Sequence, residues 1–293
     1  MKWTRRAILT LPAAASMYSL AASAQKPPAP APPSLHACKL PFFDLLGHTH
    51  KPDLRQYGIE PIRIYAAQHL WGKGEDRERP PRAGSVARTF STEDDANTTP
   101  VVLDIEHWPM RGDGAQATVS RMLDLLQMVR SQAPRAPIGY YGVPPIRDYW
   151  RAIRPRGSSE HTEWQRENDR FQPVAEACDL LFPSLYTFYD DVPGWRSYAA
   201  ANLEEARRLG GSRKVYAFIW PQYHGSNKVL GNRFLPDSYW QTELEEVSSR
   251  ADGGVLWGGW GTDGKRLVWD DSASWWNVTR RYLMNRNQNP TCT

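Results

Sequence analysis

Cysteine is scarce in this chain, net charge is small, and no long hydrophobic run follows the first two dozen residues. Three cysteines, Cys38, Cys178 and Cys292, are too few for a disulfide-built scaffold, and none of their spacings resembles a zinc site. Beyond residue 24 no apolar run approaches the roughly 20 residues a bilayer span needs, so the mature protein is expected to be soluble, with no membrane span. The formal charge is +4, from 36 basic and 32 acidic residues. Three of the bases, Lys2, Arg5 and Arg6, lie within residues 1–24, which hold no acid, so the remainder carries 33 bases and a charge of +1. Whole-chain charge therefore gives no reason to expect nucleic acid or an anionic membrane as a partner.

What is present begins with "MKWTRRAILTLPAAASMYSLAASA" (1–24), a basic start, an apolar middle and a small-residue end, the layout of a secretory signal peptide. Arg5–Arg6 also fits a twin-arginine export signal, and both routes place the mature protein in the periplasm or outside the cell. "QKPPAPAPPS" (25–34) reads as an extended proline-rich spacer. Residues 35–293 have the length of a single α/β barrel, with no second composition shift and no internal repeat. A monomer is expected, with a Cys38–Cys292 clasp across the ends of the domain and Cys178 as a buried free thiol.

Short β-rich apolar runs alternate with helical stretches. The strand candidates are 40–46, 59–67, 99–107, 136–142, 180–186, 213–220 and 253–260, and 114–132, 193–211 and 237–252 show helix-period apolar residues. Gly210–Gly211 makes a helix stop. Alternating βα order at this length predicts a parallel (β/α) barrel, TIM-like, with about seven strands. An open doubly wound sheet is the alternative, but no Gly-rich phosphate loop supports its usual nucleotide role.

The third strand candidate, "TPVVLDIEHWP" (99–109), ends in two acids. Side chains alternate along a strand, so Val101, Leu103 and Ile105 face one way and Val102, Asp104 and Glu106 the other. With the apolar set under the helices, the acids point into the barrel and reach the mouth where barrel enzymes do their chemistry. Two close, partly desolvated carboxylates cannot both ionise easily, so one is raised and can serve as a general acid. An acid pair bonded to nearby arginines or a helix start explains the same residues without catalysis.

The chain here resembles the hyaluronidase family of glycoside hydrolases, whose acid motif reads Asp-Trp-Glu or Asp-Phe-Glu followed by Trp-Arg-Pro. The matching residues are Asp104-Ile-Glu106-His-Trp108-Pro109. "GYYGVPPIRDY" (139–149) is similar to the family's Gly-Tyr-Tyr-x-Phe-Pro-Asp strand, and "LLFPSLY" (180–186) to its Leu-Phe-Pro-Ser-Ile-Tyr. "RFLPDSYWQTELEEVSSRADGGVLWGGW" (233–260) resembles its Phe-Leu-Ser helix leading into Gly-Ile-Val-Ile-Trp-Gly. The resemblance implies a distorted barrel and a retaining mechanism in which the substrate's own N-acetyl carbonyl is the nucleophile. Glu106 then maps onto the general acid/base. Asp104 maps onto the residue that orients the acetamido group, Tyr186 onto the tyrosine that helps hold it, and Trp257 onto the aromatic floor beneath the reacting sugar.

Three departures bear on the substrate. Trp108 runs directly into Pro109 without the family's arginine, "VYAFIWPQYHG" (215–225) lacks its Tyr-x-Arg strand, and the amino-terminal third is hard to align. A cleft without arginine weakens the case for glucuronate-containing polymers.

Aromatics are abundant, with 13 Trp, 13 Tyr and 8 Phe, and rings at a barrel mouth make platforms for sugars. Trp257 and Trp220, each ending a strand, are expected to line the cleft with Tyr140 and Tyr141, whereas Trp275 and Trp276 are expected in the core. "DLLGHTHKPD" (44–53) reads as a polar loop rather than a metal site, and His107 as structural. No metal and no cofactor are expected. Asp190 and Asp191 are rival acids, as loop residues or as a sugar ligand or nucleophile. The leading expectation is an exported retaining endo-glycosidase acting on an N-acetylhexosamine polysaccharide. A barrel glycosidase with a protein nucleophile such as Asp190, and a barrel that binds glycans without cutting them, stay open.

Overall fold

The computed structural model describes residues 40–91 and 97–288. Contacts divide the chain after His36, and the unit from Ala37 onward holds the barrel. Residues 1–34, expected to be signal peptide and spacer, and the expected Cys38–Cys292 pairing lie outside the described residues; Cys178 is buried and free.

The strands are β1 (Phe42–Leu46), β2 (Ile59–Pro61), β3 (Arg63–Ala66), β4 (Val101–Asp104), β5 (Ile138–Tyr140), β6 (Leu180–Leu181), β7 (Lys214–Ile219) and β8 (Gly253–Gly258). They form parallel ladders in the orders β2-β1-β8-β7-β6 and β3-β4-β5. Ile62 alone separates β2 from β3, and a parallel bridge between Tyr141 and Phe182 joins β5 to β6. The ring therefore closes, and with β2 and β3 counted as one interrupted strand it is a seven-strand distorted (β/α) barrel among the described residues.

The helices are α1 (Ala67–Leu70), α2 (Ala83–Phe90), α3 (Ala115–Gln132), α4 (Tyr149–Ala152), α5 (Ser159–Asp169), α6 (Gln172–Ala177), α7 (Val192–Gly210), α8 (Asp237–Arg250) and α9 (Ser274–Gln288). The three expected long helices are α3, α7 and α8. Gly211, at φ 60°, follows the last residue of α7, where a side chain would be strained. Among the described residues no helix is long and apolar enough to cross a membrane.

Period-2 alternation divides the apolar residues into two cores. Val101, Leu103, Ile138, Tyr140, Ala217, Ile219 and Leu256 pack outward with the helices. Phe43, Ile62, Val102, Phe182, Tyr216, Phe218 and Val255 fill the barrel interior. The interior is packed, so a ligand has access at its mouth rather than through a pore. Trp275 and Trp276 are 4% and 0% exposed, within the outer core.

Candidate active site

Register brings the acids to the mouth. Val102 is an interior residue and Asp104, two positions on, ends β4 on the same face, with Glu106 in the loop beyond. Asp104, Glu106, Tyr141, Tyr186, Trp220 and Trp257 line one cavity of about 160 Å³, together with Ile64, Arg147, Phe218 and His224. A second depression of about 380 Å³ adjoins it, sharing Glu106, Tyr141 and Arg147 and continuing past Trp108 and Met110. The two make an elongated cleft across the ends of β4 and β5.

The carboxylates differ. Asp104 is partly buried, its Oδ1 has no hydrogen-bond partner among the described residues, and its pKa is raised to about 6. Burial is the main cause, the neighbouring Glu106 charge adds to it, and Arg147 opposes both. The Glu106 side chain is 61% exposed and stands 4.0 Å from the Arg147 guanidinium. The pair is thus one desolvated acid behind one accessible acid.

Tyrosines make the cavity wall. The Tyr141 hydroxyl lies 3.1 Å from Ser184 Oγ and accepts a long 3.5 Å contact from Arg147 Nη1. Burial pushes Tyr141 up to about 12 and Tyr186 well above the usual tyrosine range, so both hydroxyls stay protonated and able to donate. Trp220 is oriented by its indole N–H, which donates to Gln222 Oε1 at 2.8 Å, and Gln222 in turn donates to the Trp260 carbonyl. Gly258 permits the close approach, because a Cβ there would fall 2.9 Å from Trp220 Cδ1. Gly258, directly after Trp257, is therefore part of the site's construction.

Arg147 and His224 were not singled out from sequence. Arg147 leaves a loop fixed at both sides. The Ile146 N–H donates to Asn168 at 2.8 Å, and Asp148 caps α4 while pairing with Arg111 and Arg151. His224 Nδ1 accepts the Ser226 N–H, which leaves the proton on Nε2. Burial first, and Arg147 second, lower His224 to about 4, so it is a neutral donor at ordinary pH.

Three expectations need correction. Tyr140 does not line the cleft: it pairs in register with outward-facing Leu103, and its hydroxyl donates to the Met122 carbonyl of α3 at 2.8 Å. Asp190 is outside the cavity and accepts the Tyr223 hydroxyl at 2.7 Å, while Asp191 caps α7. The cleft does contain an arginine, since Arg147 enters from the loop after β5 although both motif arginines are missing.

His107 is directed to the Arg77 carbonyl and packs edge-on against Trp71. In the 44–53 stretch, whose first three residues belong to β1 rather than to a loop, Asp44 pairs with Lys51 at 2.6 Å and His48 stacks on Trp275. Among the described residues no group of three or more His, Cys, Asp or Glu is placed to hold a metal ion.

No family model matches the chain. A hyaluronidase of Polybia paulista is 27% identical over 143 residues, 47% of this chain and 48% of that protein. A hyaluronidase of Polistes annularis is 26% identical over 145 residues, 47% of this chain and 37% of that protein. The chain spans about half, or less, of the length of these curated relatives. Among solved structures, bee venom hyaluronidase superposes with a TM-score of 0.53 at 16% identity, covering 79% of this chain and 90% of that one. Its complex with a hyaluronic acid tetramer also gives 0.53, at 15% identity over 79% and 89%. In sequence over 47% of its length and in fold over 79% of it, this chain is hyaluronidase-like.

Proposed function

We propose that the chain is an exported, retaining glycoside hydrolase that cuts within polysaccharides containing N-acetylhexosamine. The observation that carries this is the shared cavity: an accessible acid, a desolvated acid with a free oxygen, a protonated tyrosine and two tryptophans converge at the mouth of the barrel. Glu106 donates a proton to the glycosidic oxygen and later takes one from water. Asp104 accepts the acetamide N–H and balances the charge of the oxazolinium-like intermediate, so the substrate's own carbonyl is the nucleophile. Tyr186 holds the acetamide from the other side, and Trp257 and Trp220 support the sugar face. Because the cleft continues beyond Glu106 in the adjoining 380 Å³ depression, a chain interior fits better than a chain end.

Arg147 supplies the cation that the missing motif arginines would have given, which returns uronate-containing glycosaminoglycans to the substrate range. That bee venom hyaluronidase has been crystallised with a hyaluronic acid tetramer supports the same class. The test is a depolymerisation screen over hyaluronan, chondroitin, chitin-type and bacterial exopolysaccharides with reducing-end detection. Cleavage of acetamido polymers, inhibited by a thiazoline mimic of the intermediate, is expected. Activity confined to polymers without acetamido sugars would sink the substrate-assisted mechanism, and binding without cleavage would mark a glycan-binding barrel.

A further inference from the structure

Outside the cavity, three large rings are left bare among the described residues, Trp150, Tyr189 and Phe234; Phe234 stacks on Trp275, and the other two form a pair. Trp150 is 55% exposed and Tyr189 40% exposed, whereas Trp108, Trp164, Trp195, Trp240 and Trp276 are almost fully buried. Trp150 and Tyr189 lie 5.3 Å apart with their planes at 47°. Both rest edge-on against buried Tyr149, at 5.2 and 5.0 Å, and Tyr149 packs on Tyr198 at 5.1 Å. The pair is therefore held from below and open above.

Its place in the fold is at the mouth. Trp150, on α4, comes three residues after Arg147, and Tyr189 three residues after Tyr186, so both belong to the segments after β5 and β6 that also supply the cavity. A line of rings connects the two regions: His224 of the cavity is 4.6 Å from Phe188, Phe188 is 6.4 Å from Tyr189, and Tyr189 meets Trp150. The Arg147 guanidinium covers Phe188 at 5.5 Å. The line of rings thus runs from the cavity outward.

We propose that Trp150 and Tyr189 form an outer glycan subsite, stacking on a pyranose ring of the polymer beyond the sugars held in the cavity. The proposal rests on the glycosidase reading and deepens it. A pyranose offers a face of C–H groups to the electron-rich face of an aromatic ring, and its hydroxyls remain in water at the rim. Rings already fixed by Tyr149 lose little freedom on binding, which favours a stacking contact over a flexible one.

The experiment measures affinity against chain length, using ladders of hyaluronan, chondroitin and chitin-type oligosaccharides from tetramer to decamer. Glu106→Gln serves as the uncut background, compared with the same protein carrying Trp150→Ala, Tyr189→Ala or Trp150→Tyr. Long ligands should lose about threefold to tenfold in affinity with either alanine, the size of one aromatic contact, while tetramers are unaffected and Trp150→Tyr retains most of the gain. Equal affinity at every length, a loss independent of length, or no binding to any ladder overturns the subsite. So does a parent dimer abolished by Trp150→Ala with the length dependence unchanged, which would make the pair a self-association contact. Length-dependent binding lost with Trp150→Ala, in a protein that hydrolyses nothing, would remove the glycosidase reading and leave the subsite standing.

Discussion

Nη2 of Arg147 stands 4.0 Å from Oε2 of Glu106, so the accessible acid of the pair shares its cleft with a cation the motif did not announce. The separation is longer than a tight bidentate pair, which leaves both groups free to meet a ligand. Arg147 also opposes the rise of the Asp104 pKa, and it helps keep His224 neutral. One side chain thus conditions several groups of the site.

Glu106→Gln keeps the shape of the side chain and removes its proton. Turnover on an acetamido polymer should fall by at least about 10²–10⁴, the contribution of one oriented general acid, while oligosaccharide affinity persists. Initial rates paired with equilibrium binding to the same oligosaccharide check this. A near-normal rate would make Glu106 a surface acid.

Arg147→Gln separates substrate charge from sugar shape. Affinity for a uronate-containing polymer should drop roughly tenfold to a hundredfold, as expected when a charge-assisted hydrogen bond is lost, and chitin-type ligands should change much less. Parent affinity for the acidic polymer should weaken as salt rises, and the variant's should be flatter. Titrations at two ionic strengths read both effects, and equal losses on acidic and neutral ligands would assign Arg147 to holding Glu106 and Tyr141 instead.

Much of this arrangement was legible in strand alternation. Seven apolar runs gave the barrel, and Val102-x-Asp104-x-Glu106 gave the inward acids, because one strand face is decided by packing alone. The same rule, applied to β5, separates Tyr140 from Tyr141: Gly139 and Tyr141 fall inward, and Tyr140 goes outward with Leu103. Within "GYYG" the two tyrosines are alike in every respect but their place in that alternation. Arg147 and His224 follow no period, since they lie in loops whose courses are set by distant partners such as Asn168 and by local Ser226. Which acid is raised was likewise hidden, because desolvation depends on the walls that β3, β5 and β6 build around Asp104.

Gly139 shows how closely those walls meet. A Cβ at this interior position would fall 2.1 Å from the Leu180 carbonyl oxygen, where β5 and β6 are joined by the Tyr141–Phe182 bridge and by the Asp179 and Gly142 N–H groups donating to the Ile138 and Phe182 carbonyls. Gly139→Ala must push the strands apart, so it should destabilise by about 1–3 kcal/mol and lower Tm by several degrees. Thermal unfolding measures it, with Gly84→Ala, which meets nothing within 4 Å, as the control.

Asp104→Asn should raise stability and abolish most activity together. The folded pKa of Asp104, about 6, lies above its ordinary value of 3.8, so the folded state holds the proton more tightly than the unfolded chain. Below about pH 4 the acid is protonated in both states and the amide brings no relief. As pH rises from about 4 to 6 the unfolded chain ionises first, and above 6 the folded protein carries a partly buried charge at full cost. Relative to the parent, the amide should therefore gain stability across that window and hold the gain above it. The limit is about 2–3 kcal/mol at 1.36 kcal/mol per pKa unit, and less where water still reaches the carboxylate. His48 and His224, both near 4 in the folded protein, act in the opposite sense, so the difference between variant and parent carries the test. Urea unfolding at pH 4 and pH 7.5 gives that difference. Hydrolysis of acetamido substrates should meanwhile fall at least a hundredfold, because the amide cannot balance the intermediate's charge. A variant that is no more stable at pH 7.5 than at pH 4, relative to the parent, would mean that Asp104 is ordinarily ionised and solvated. A stabilised variant with full activity would mean that its buried carboxyl takes no part in the reaction.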